Sequence, residues 1–302
     1  MKYTNRNNLP ASIVRAVTND PYQPKGSNIT ATRIIQPPRI RVLEMRNWDL
    51  LEKDVSDQIF SLLGTNVHHI LQRSKRGHKD IVEKRLFYRD KDITNEWTLS
   101  GQFDLLEKEG RLMDFKVTSV YQIINALKEG KADWDNQLNV LDFLCRKNQN
   151  KLTMHGKEIK VRSLNILAIA RDWSMHKVET SNDYPKDQVM MIPIRRWTPD
   201  EQESYIKTRI KFHQDAERSK SLPLCTPTER WAKSDKWAVY KDGLAKAKRV
   251  LDTKELALQY LKNEGLVEGK GCKIVFRKGR DVRCQHYCSV NGFCDYFMGV
   301  KF

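Results

Sequence analysis

The chain has 302 residues, with 54 Lys and Arg against 38 Asp and Glu, so its formal net charge is +16 at pH 7. Its apolar share is 39% and its mean hydropathy is −0.66. A membrane protein is excluded, because the sequence contains no run of about 18 apolar residues. The first 30 residues also lack the apolar segment of a secretion signal. The excess of positive charge favours an anionic partner, with nucleic acid ahead of a membrane surface.

Residues 1–50 are predicted to form an irregular N-terminal arm, because four prolines interrupt regular structure there. These are Pro21, Pro24, Pro37 and Pro38. From about Val55 to Arg73, apolar residues recur at spacings of three and four, which predicts a helix. This helix is expected to open a core domain that extends over residues 51–220.

Strands and helices alternate through the rest of this core. Strands are predicted at 82–88, 96–106, 111–118, 162–171 and 188–194, and helices at 121–130, 134–147 and 199–219. Gly110 predicts the hairpin turn between the second and third of these strands. This alternation predicts an α/β fold.

The pattern changes after residue 220. A small hairpin is predicted over 236–251, a short helix over 253–264 and a strand over 272–277. Three of the six cysteines lie in the last 20 residues. Residues 221–302 are therefore predicted to form a small cysteine-bearing region that packs on the core.

The most informative charged residues lie in the segment GQFDLLEKEGRLMDFKVTS, residues 101–119. Asp104 lies near the end of one predicted strand, and Asp114 and Lys116 share a face of the next. Both strands are otherwise apolar, and the centre of a sheet does not hold two carboxylates and an ammonium group without a reason. A surface ion pair on a half-exposed hairpin is the alternative interpretation.

Metal chemistry supplies such a reason. Two carboxylates and a backbone carbonyl suit a hard cation such as Mg²⁺ or Mn²⁺. A nearby lysine can orient or activate water for attack on phosphorus. The segment therefore indicates a phosphodiester hydrolase.

The predicted helix before these strands carries Gly64 and, one turn later, His68. A glycine there allows another backbone to approach closely, and a histidine can complete a metal site. A single helical histidine nevertheless packs in a core more often than it binds a metal. His69 is the neighbouring candidate, and the helical pattern by itself leaves both histidines open.

Together these residues resemble the PD-(D/E)xK nuclease superfamily, in particular its RecB-type branch and the related phage exonucleases. The matching elements follow the family order, with G-x-x-x-H on a helix, a strand glutamate, G-x-x-D, D-x-K and a helix glutamine. They fall at Gly64 to His68, Glu83, Gly101 to Asp104, Asp114 to Lys116, and Gln137. The resemblance covers roughly residues 50–150. The tyrosine that usually follows the glutamine by four residues is replaced here by Leu141.

The resemblance implies a restriction-endonuclease-like fold, with a mixed sheet flanked by helices, and a role for each matching residue. His68, Asp104 and Asp114 would hold the divalent metal, with help from the backbone carbonyl of Phe115. Lys116 would position and activate the attacking water. Glu83 would act in catalysis through bound water, or else would only pair with a base such as Lys84. Gln137 is the remaining catalytic candidate, against the alternative of an ordinary polar helix residue.

The cysteines indicate a second metal site. Disulfides are not expected in a chain without an export signal, and clustered cysteines in such a chain bind metal more often. Cys284, Cys288 and Cys294 form the cluster, and Cys225 supplies a fourth thiolate, with Cys272 as its rival. Three clustered cysteines and one distant one resemble the iron–sulfur nucleases of this superfamily, which implies a [4Fe–4S] cluster, with zinc as the alternative. Cys145 is predicted to be a buried thiol.

The sequence therefore predicts an Mg²⁺- or Mn²⁺-dependent deoxyribonuclease, more an exonuclease than an endonuclease, in phage-type recombination or DNA processing. DNA ends or single strands are the expected partners, together with a recombination or helicase protein, and no membrane. The expected location is the cytoplasm, that of a bacterial host if the gene is carried by a phage. The alternative is a catalytically inactive nuclease fold that binds DNA or inhibits a protein partner.

Overall fold

The computed structural model describes residues 1–19, 26–73 and 80–299. These ranges divide into two compact units, the first formed by Met1–Arg41 with Asp49–Ser221 and the second by Val42–Trp48 with Leu222–Phe302. Pro21 and Pro24, which contributed to the predicted arm, lie outside the described residues. No helix in the described ranges has both the length and the apolar character that a bilayer span requires.

Elements are numbered along the chain. The helices up to residue 221 are α1 (Ala11–Thr18), α2 (Ala31–Ile34), α3 (Pro38–Arg46), α4 (Ile59–Arg73), α5 (Val120–Glu129), α6 (Ala132–Lys147), α7 (Met175–Thr180) and α8 (Pro199–Arg218). The strands are β1 (Lys2–Thr4), β2 (Ile29–Thr30), β3 (Glu52–Asp54), β4 (Ile81–Tyr88), β5 (Leu99–Leu106), β6 (Arg111–Thr118), β7 (Thr153–Met154), β8 (Lys157–Glu158), β9 (Ser163–Ala170) and β10 (Val189–Ile194).

A mixed sheet forms the centre of the first unit. Within the described residues it has six strands in the order β10-β9-β6-β5-β2, and β4 also pairs with β5. The β6–β9 and β2–β5 pairs are parallel, whereas β10–β9, β5–β6 and β4–β5 are antiparallel. Helix α6 packs on this sheet with buried leucines at 138, 141 and 144. The prediction of a mixed α/β sheet flanked by helices is confirmed.

The structure corrects the prediction of an irregular arm over residues 1–50. This stretch contains α1, α2 and α3, and β2 joins the central sheet. Pro38 is the first residue of α3, a position where the fixed φ of proline suits a helix and its missing N–H would have had no helical partner. The pair Pro37-Pro38 therefore begins a helix here.

Two smaller differences affect the edges of elements. The predicted helix over 55–73 opens with a 3-10 turn, Val55–Gln58, before α4. The predicted strand over 96–106 begins at Leu99 because Asn95 and Glu96 have φ angles of 44° and 67°. Gly110 has a φ of 91° and forms the turn between β5 and β6, as predicted.

The second unit contains a three-stranded antiparallel sheet among its described residues, in the order β13-β12-β14. Its helices are α9 (Pro227–Arg230), α10 (Lys254–Asn263), α11 (Val282–His286) and α12 (Asp295–Gly299), and its strands are β11 (Ala232–Lys233), β12 (Lys236–Lys241), β13 (Arg249–Leu251), β14 (Cys272–Arg277) and β15 (Arg280–Asp281). Ala257 and Leu261 of α10 pack against Val239 and Cys272. The predicted hairpin, helix and strand are all present.

Candidate metal-binding and catalytic site

The strands β5 and β6 separate at the point where their acidic residues lie. Their registered pairs are Leu105 with Met113 and Leu106 with Leu112, next to the turn. Beyond these pairs, the backbone N–H of Phe115 donates to Oδ2 of Asp104 at 2.5 Å. A side-chain carboxylate thus takes the place of a backbone acceptor, and the sheet opens beside it.

Glu83 lies opposite Asp104 on the other neighbour of β5. Val82 pairs with Leu105 and Lys84 with Phe103, which leaves Glu83 in the intervening position. The φ angle of Glu83 is 50°, a left-handed conformation that is uncommon for a residue with a long side chain. Such strain persists only where surrounding structure enforces it, and it concentrates at functional sites.

Helix α4 brings His68 to this opening. Its Nδ1 lies 3.2 Å from Oδ1 of Asp104 and 3.5 Å from Oε1 of Glu83. Donor atoms of His68, Glu83 and Asp104 all lie within 4.8 Å of one another. The ring of His68 also contacts that of Phe115, with centroids 5.8 Å apart. One imidazole and two carboxylates therefore converge on a point that a single cation can occupy.

Burial and mutual contacts shift the pKa values of all three side chains. Burial, and then the charge of Asp114, raises the pKa of Asp104 to about 6. Hydrogen bonds with Asp104 and Glu83 raise the pKa of His68 to about 10. Burial raises the pKa of Glu83, but its hydrogen bonds with His68 and Gln102 outweigh burial and hold that pKa below its usual value. A protonated His68 thus balances the two carboxylates in the protein alone.

Asp114 belongs to an adjacent set on β6. The Nζ of Lys116 lies 2.6 Å from Oδ2 of Asp114 and donates to Oε1 of Gln137 at 3.0 Å. Gln137 in turn donates from Nε2 to Oδ1 of Asp114 at 2.7 Å. Only 3% of Asp114 is exposed. The three side chains form a closed ring of polar contacts that fixes the ammonium group of Lys116.

The structure therefore brings the predicted site residues into two neighbouring sets, one around Asp104 and one around Asp114, and the charges of these two carboxylates interact. Glu83 contacts His68 and not Lys84, whose Nζ donates to the backbone carbonyl of Lys151. Gln137 contacts both Asp114 and Lys116, unlike an ordinary polar helix residue. Phe115 contributes its amide and ring, and the role of its carbonyl stays a prediction. His69 points elsewhere and lines a cavity of about 400 Å³ with Tyr3 and Lys53.

The structure explains Gly101 but contradicts the reason given for Gly64. A Cβ on Gly101 would lie 2.6 Å from Cδ2 of Leu141 and 2.7 Å from Cδ1 of Leu144, so the glycine lets α6 approach β5. Leu141, in place of the family tyrosine, is part of this packing. A Cβ on Gly64 would meet nothing within 4 Å. No other backbone in the described residues approaches Gly64, and open space lies beside it.

Two residues near the site were missed from the sequence. Gln102 donates to Oε2 of Glu83 at 2.5 Å and accepts from Arg85. Strand alternation, which places Gln102 on the face of Asp104, could have identified it. Lys131 lies between α5 and α6, where burial lowers its pKa and the charge of Lys116 adds to that effect. Nothing in the local sequence distinguishes Lys131 from other lysines.

The four predicted cysteine ligands lie in the second unit. Burial raises the pKa of Cys225 to about 12 and that of Cys284 to about 11, and nearby cysteines contribute to both shifts. Cys288 shows the same direction, with Cys294 among its neighbours. All six cysteines are described, and none forms a disulfide. The rival ligand Cys272 packs in the core under α10, and Cys145 is fully buried on α6, as predicted.

Comparisons with known proteins give distant structural likenesses. No protein-family model and no curated protein matches the chain. Among solved structures, the protein SSO0001 is 13% identical with a TM-score of 0.46, over 68% of this chain and 85% of that one. An alkaline exonuclease, LHK-Exo from Laribacter hongkongensis, is 13% identical with a TM-score of 0.32, over 62% and 85%. Its complex with dAMP gives 14% and 0.33, over 62% and 86%.

Proposed function

We propose that the chain is a metal-dependent deoxyribonuclease with a restriction-endonuclease-like fold, acting as an exonuclease in phage-type recombination or DNA processing. One observation carries this proposal. Where β5 and β6 separate, the buried Asp104 and Asp114 meet an imidazole on one side and a fixed lysine on the other. The net charge of +16 supports DNA as the substrate.

The donor set fits a divalent cation. His68, Glu83 and Asp104 would hold it, with Asp114 beside them, and carboxylate-rich sites suit Mg²⁺ or Mn²⁺. Burial, and then the charge of Asp114, raises the pKa of Asp104, and a cation would offset the repulsion between the two carboxylates. When bound, the cation would offset the charge that develops on the phosphate during hydrolysis.

The residues of the chain supply orientation and proton handling. Asp114 and the amide oxygen of Gln137 hold the ammonium group of Lys116 at the open edge of β6. From there its N–H groups can orient a water for in-line attack and offset the charge of the hydroxide that forms. Gln137 donates to Asp114, which keeps the carboxylate turned toward Lys116.

The proposal also includes a [4Fe–4S] cluster held by Cys225, Cys284, Cys288 and Cys294. Their mutual influence on pKa supports a shared site. Four thiolates can hold a [4Fe–4S] cluster, or zinc as the alternative, and either would act structurally by linking the segments that carry them.

The deciding experiment is cleavage of end-labelled linear DNA and covalently closed circular DNA with Mg²⁺ or Mn²⁺. We expect wild type to degrade the linear form, and Asp114→Asn and Lys116→Gln to be slower by roughly 10²- to 10⁴-fold. Lys108→Gln, an exposed lysine on the hairpin turn, is the matched control and should keep full activity. Cleavage of circles would make the protein an endonuclease. Wild type that cuts neither form would overturn the catalytic proposal and leave a nuclease fold that binds DNA or a protein partner.

Metal binding is tested without DNA. Isothermal titration with Mn²⁺ should give one site in wild type, and Asp104→Asn, which keeps the shape of the side chain, should weaken it at least tenfold. Lys108→Gln again serves as the control. Equal Mn²⁺ affinity in wild type and Asp104→Asn would exclude the His68–Glu83–Asp104 group as the metal site.

A further inference from the structure

One face of α4 leads away from the site over open space. Phe60, Gly64 and His68 are spaced by four residues, so they lie in line on this face. His68 reaches the carboxylates, and a Cβ on Gly64 would meet nothing within 4 Å. Phe60, at the other end, is 60% exposed. A glycine inside a helix costs about 1 kcal/mol relative to alanine, and the packing around Gly64 gives no reason for it.

The exposed ring of Phe60 carries a stacked guanidinium group. The Cζ of Arg171 lies 3.9 Å from the centroid of the Phe60 ring. Arg171 is exposed, and its side chain has no carboxylate partner among the described residues. An aromatic ring and an unpaired arginine in one place offer a stacking surface and a phosphate contact together.

Arg171 also lies close to β6, the strand that carries Asp114 and Lys116. The backbone N–H of Arg171 donates to the carbonyl of Thr118 at 2.9 Å, so Arg171 lies at the end of β6. Asp114, Lys116 and Thr118 share one face of that strand. Helix α4 and β6 therefore form two sides of one path, from the His68 end to Phe60 and Arg171. Eight helical residues span about 12 Å, the length of three or four nucleotides stacked at about 3.4 Å.

We infer that this path, floored by Gly64 and closed by the Phe60–Arg171 pair, binds the DNA strand next to the scissile phosphate. The inference rests on the proposed nuclease function and adds the site that positions its substrate. Phe60 stacks on a base, Arg171 binds a backbone phosphate, and Gly64 leaves room for the strand between them. Apolar residues at 63 and 70 on the same helix are also exposed, but Arg171, which is exposed and has no carboxylate partner in the described part of the chain, favours a polyanion over a second copy of the chain.

The test combines kinetics with equilibrium binding of a fluorescent single-stranded oligonucleotide in EDTA, where no cleavage occurs. Phe60→Leu keeps the apolar character and removes the π face. It should raise KM and the Kd by about 5- to 150-fold, with kcat unchanged. Phe60→Trp should bind as wild type does. Arg171→Gln should lower the slope of log Kd against log salt by about 0.7, and Arg171→Lys should restore it.

Substitutions at Gly64 test the proposed path independently of Phe60 and Arg171. Gly64→Ala should raise the Tm by about 2–4 °C, because the helix gains and nothing clashes. Gly64→Leu should raise KM at least tenfold without lowering the Tm. A structural role for Gly64 would instead lower the Tm in both variants.

The matched control is Phe212→Leu. Phe212 is 37% exposed on α8 and has Arg209 at 5.7 Å from its ring, so it is a similar pair away from the path. If wild type cleaves DNA and Phe60→Leu binds as tightly as Phe212→Leu, the inference is wrong. A change in the mass of the assembly in Phe60→Leu, with unchanged affinity for DNA, would overturn it in favour of a protein interface. Phe60-dependent binding by a wild type that cannot cleave would preserve it while the nuclease proposal fails.

Discussion

Glu83 has a strained backbone conformation and a charged side chain whose contacts could not be predicted from the sequence. Its φ of 50° lies in the left-handed region, which costs an ordinary residue about 1–2 kcal/mol. Its carboxylate meets His68 and Gln102. The backbone bends here so that a strand residue turns its side chain toward the neighbouring Asp104. The order of motifs indicated Glu83, but only the structure shows that strain accompanies its position.

The backbone strain can be isolated with two variants that both lack the carboxylate. In ordinary strands glycine is less stable than alanine by about 0.5–1 kcal/mol. At position 83 we expect the opposite order, with Glu83→Gly more stable than Glu83→Ala by about 1 kcal/mol. Urea unfolding of the two proteins measures the difference. Greater stability of the alanine variant would mean that the left-handed conformation is not retained.

At the scale of elements, the contact between α6 and β5 positions the polar ring formed by Asp114, Lys116 and Gln137. Gln137 and Leu141 lie one turn apart on α6. Leu141 contacts the space above Gly101, and Gln137 reaches Asp114 and Lys116. Gly101, the glycine of G-x-x-D, therefore affects the site indirectly, because it allows α6 to pack close to the sheet.

Gly101→Ala should move this helix. Its new Cβ would overlap with buried methyl groups of two leucines, so we expect a loss of about 1–3 kcal/mol of stability in denaturant unfolding. Activity should fall with it because Gln137 is displaced. Gly64→Ala is the same change where the added methyl group has room. A Gly101→Ala protein as stable as wild type would contradict the close packing.

Helix α8 carries a buried histidine that makes stability depend on pH. Burial, and then the charges of Arg209 and Arg41, lower the pKa of His213 to about 4. Its Nε2 lies 3.1 Å from the carbonyl of Ile34. The unfolded chain, with a pKa near 6.5, binds the proton first as pH falls. The contribution of neutral His213 is therefore complete above about pH 6.5 and is lost between about pH 6.5 and 4.

His213→Gln should flatten this dependence. Wild type should lose up to about 3 kcal/mol between pH 7 and 4 from this group, measured by urea unfolding at a series of pH values. His176→Gln, at an exposed histidine on α7, is the control and should keep the wild-type slope. Equal slopes in wild type and His213→Gln would show that the fold does not lower the pKa of His213.

Features that short stretches of sequence encode were predicted more successfully than features that depend on how distant segments pack. Strands 82–88, 111–118 and 162–171 were predicted from apolar residues close together in sequence, although charged residues interrupt the first two, and the order of motifs identified Asp114, Lys116 and Gln137, the three residues of the polar ring. The arm was misjudged because a proline pair can end one element or begin another, and Pro38 begins α3. The order of motifs also identified His68 and Glu83, but it did not predict the hydrogen bond from the Phe115 amide to Asp104, which depends on where β5 and β6 separate and which neither strand encodes by itself.

At the scale of the whole molecule, the four predicted cysteine ligands all lie in the second unit. An Arg230–Asp281 ion pair at 3.1 Å and a hydrogen bond from Tyr296 to Asp281 hold together the segments on which Cys225, Cys284 and Cys294 lie. The Asn291 side chain also donates to the carbonyl of Cys284. These contacts bring chain segments more than 50 residues apart in sequence to one place.

Anaerobically purified wild type should contain iron and acid-labile sulfide and absorb visible light. Cys284→Ser and Cys288→Ser should lose the iron and lower the Tm, because the proposed cluster would link these segments. Cys145→Ala, a buried thiol in the first unit, should keep the iron. Zinc in place of iron would favour the alternative metal, and a chain with neither metal would overturn the four-cysteine site.

The second unit is built from two stretches of chain far apart in sequence. Val42–Trp48 belongs with Leu222–Phe302, and Ser289 donates to Glu44 at 2.8 Å across 245 positions. During synthesis, at about 5–20 residues per second, the early stretch waits roughly 10–35 s for the first residues of its companion. Trp48 is half exposed even in the finished fold. The order of translation therefore leaves an apolar piece of this unit uncovered until the end, and a C-terminal fragment made alone would lack it.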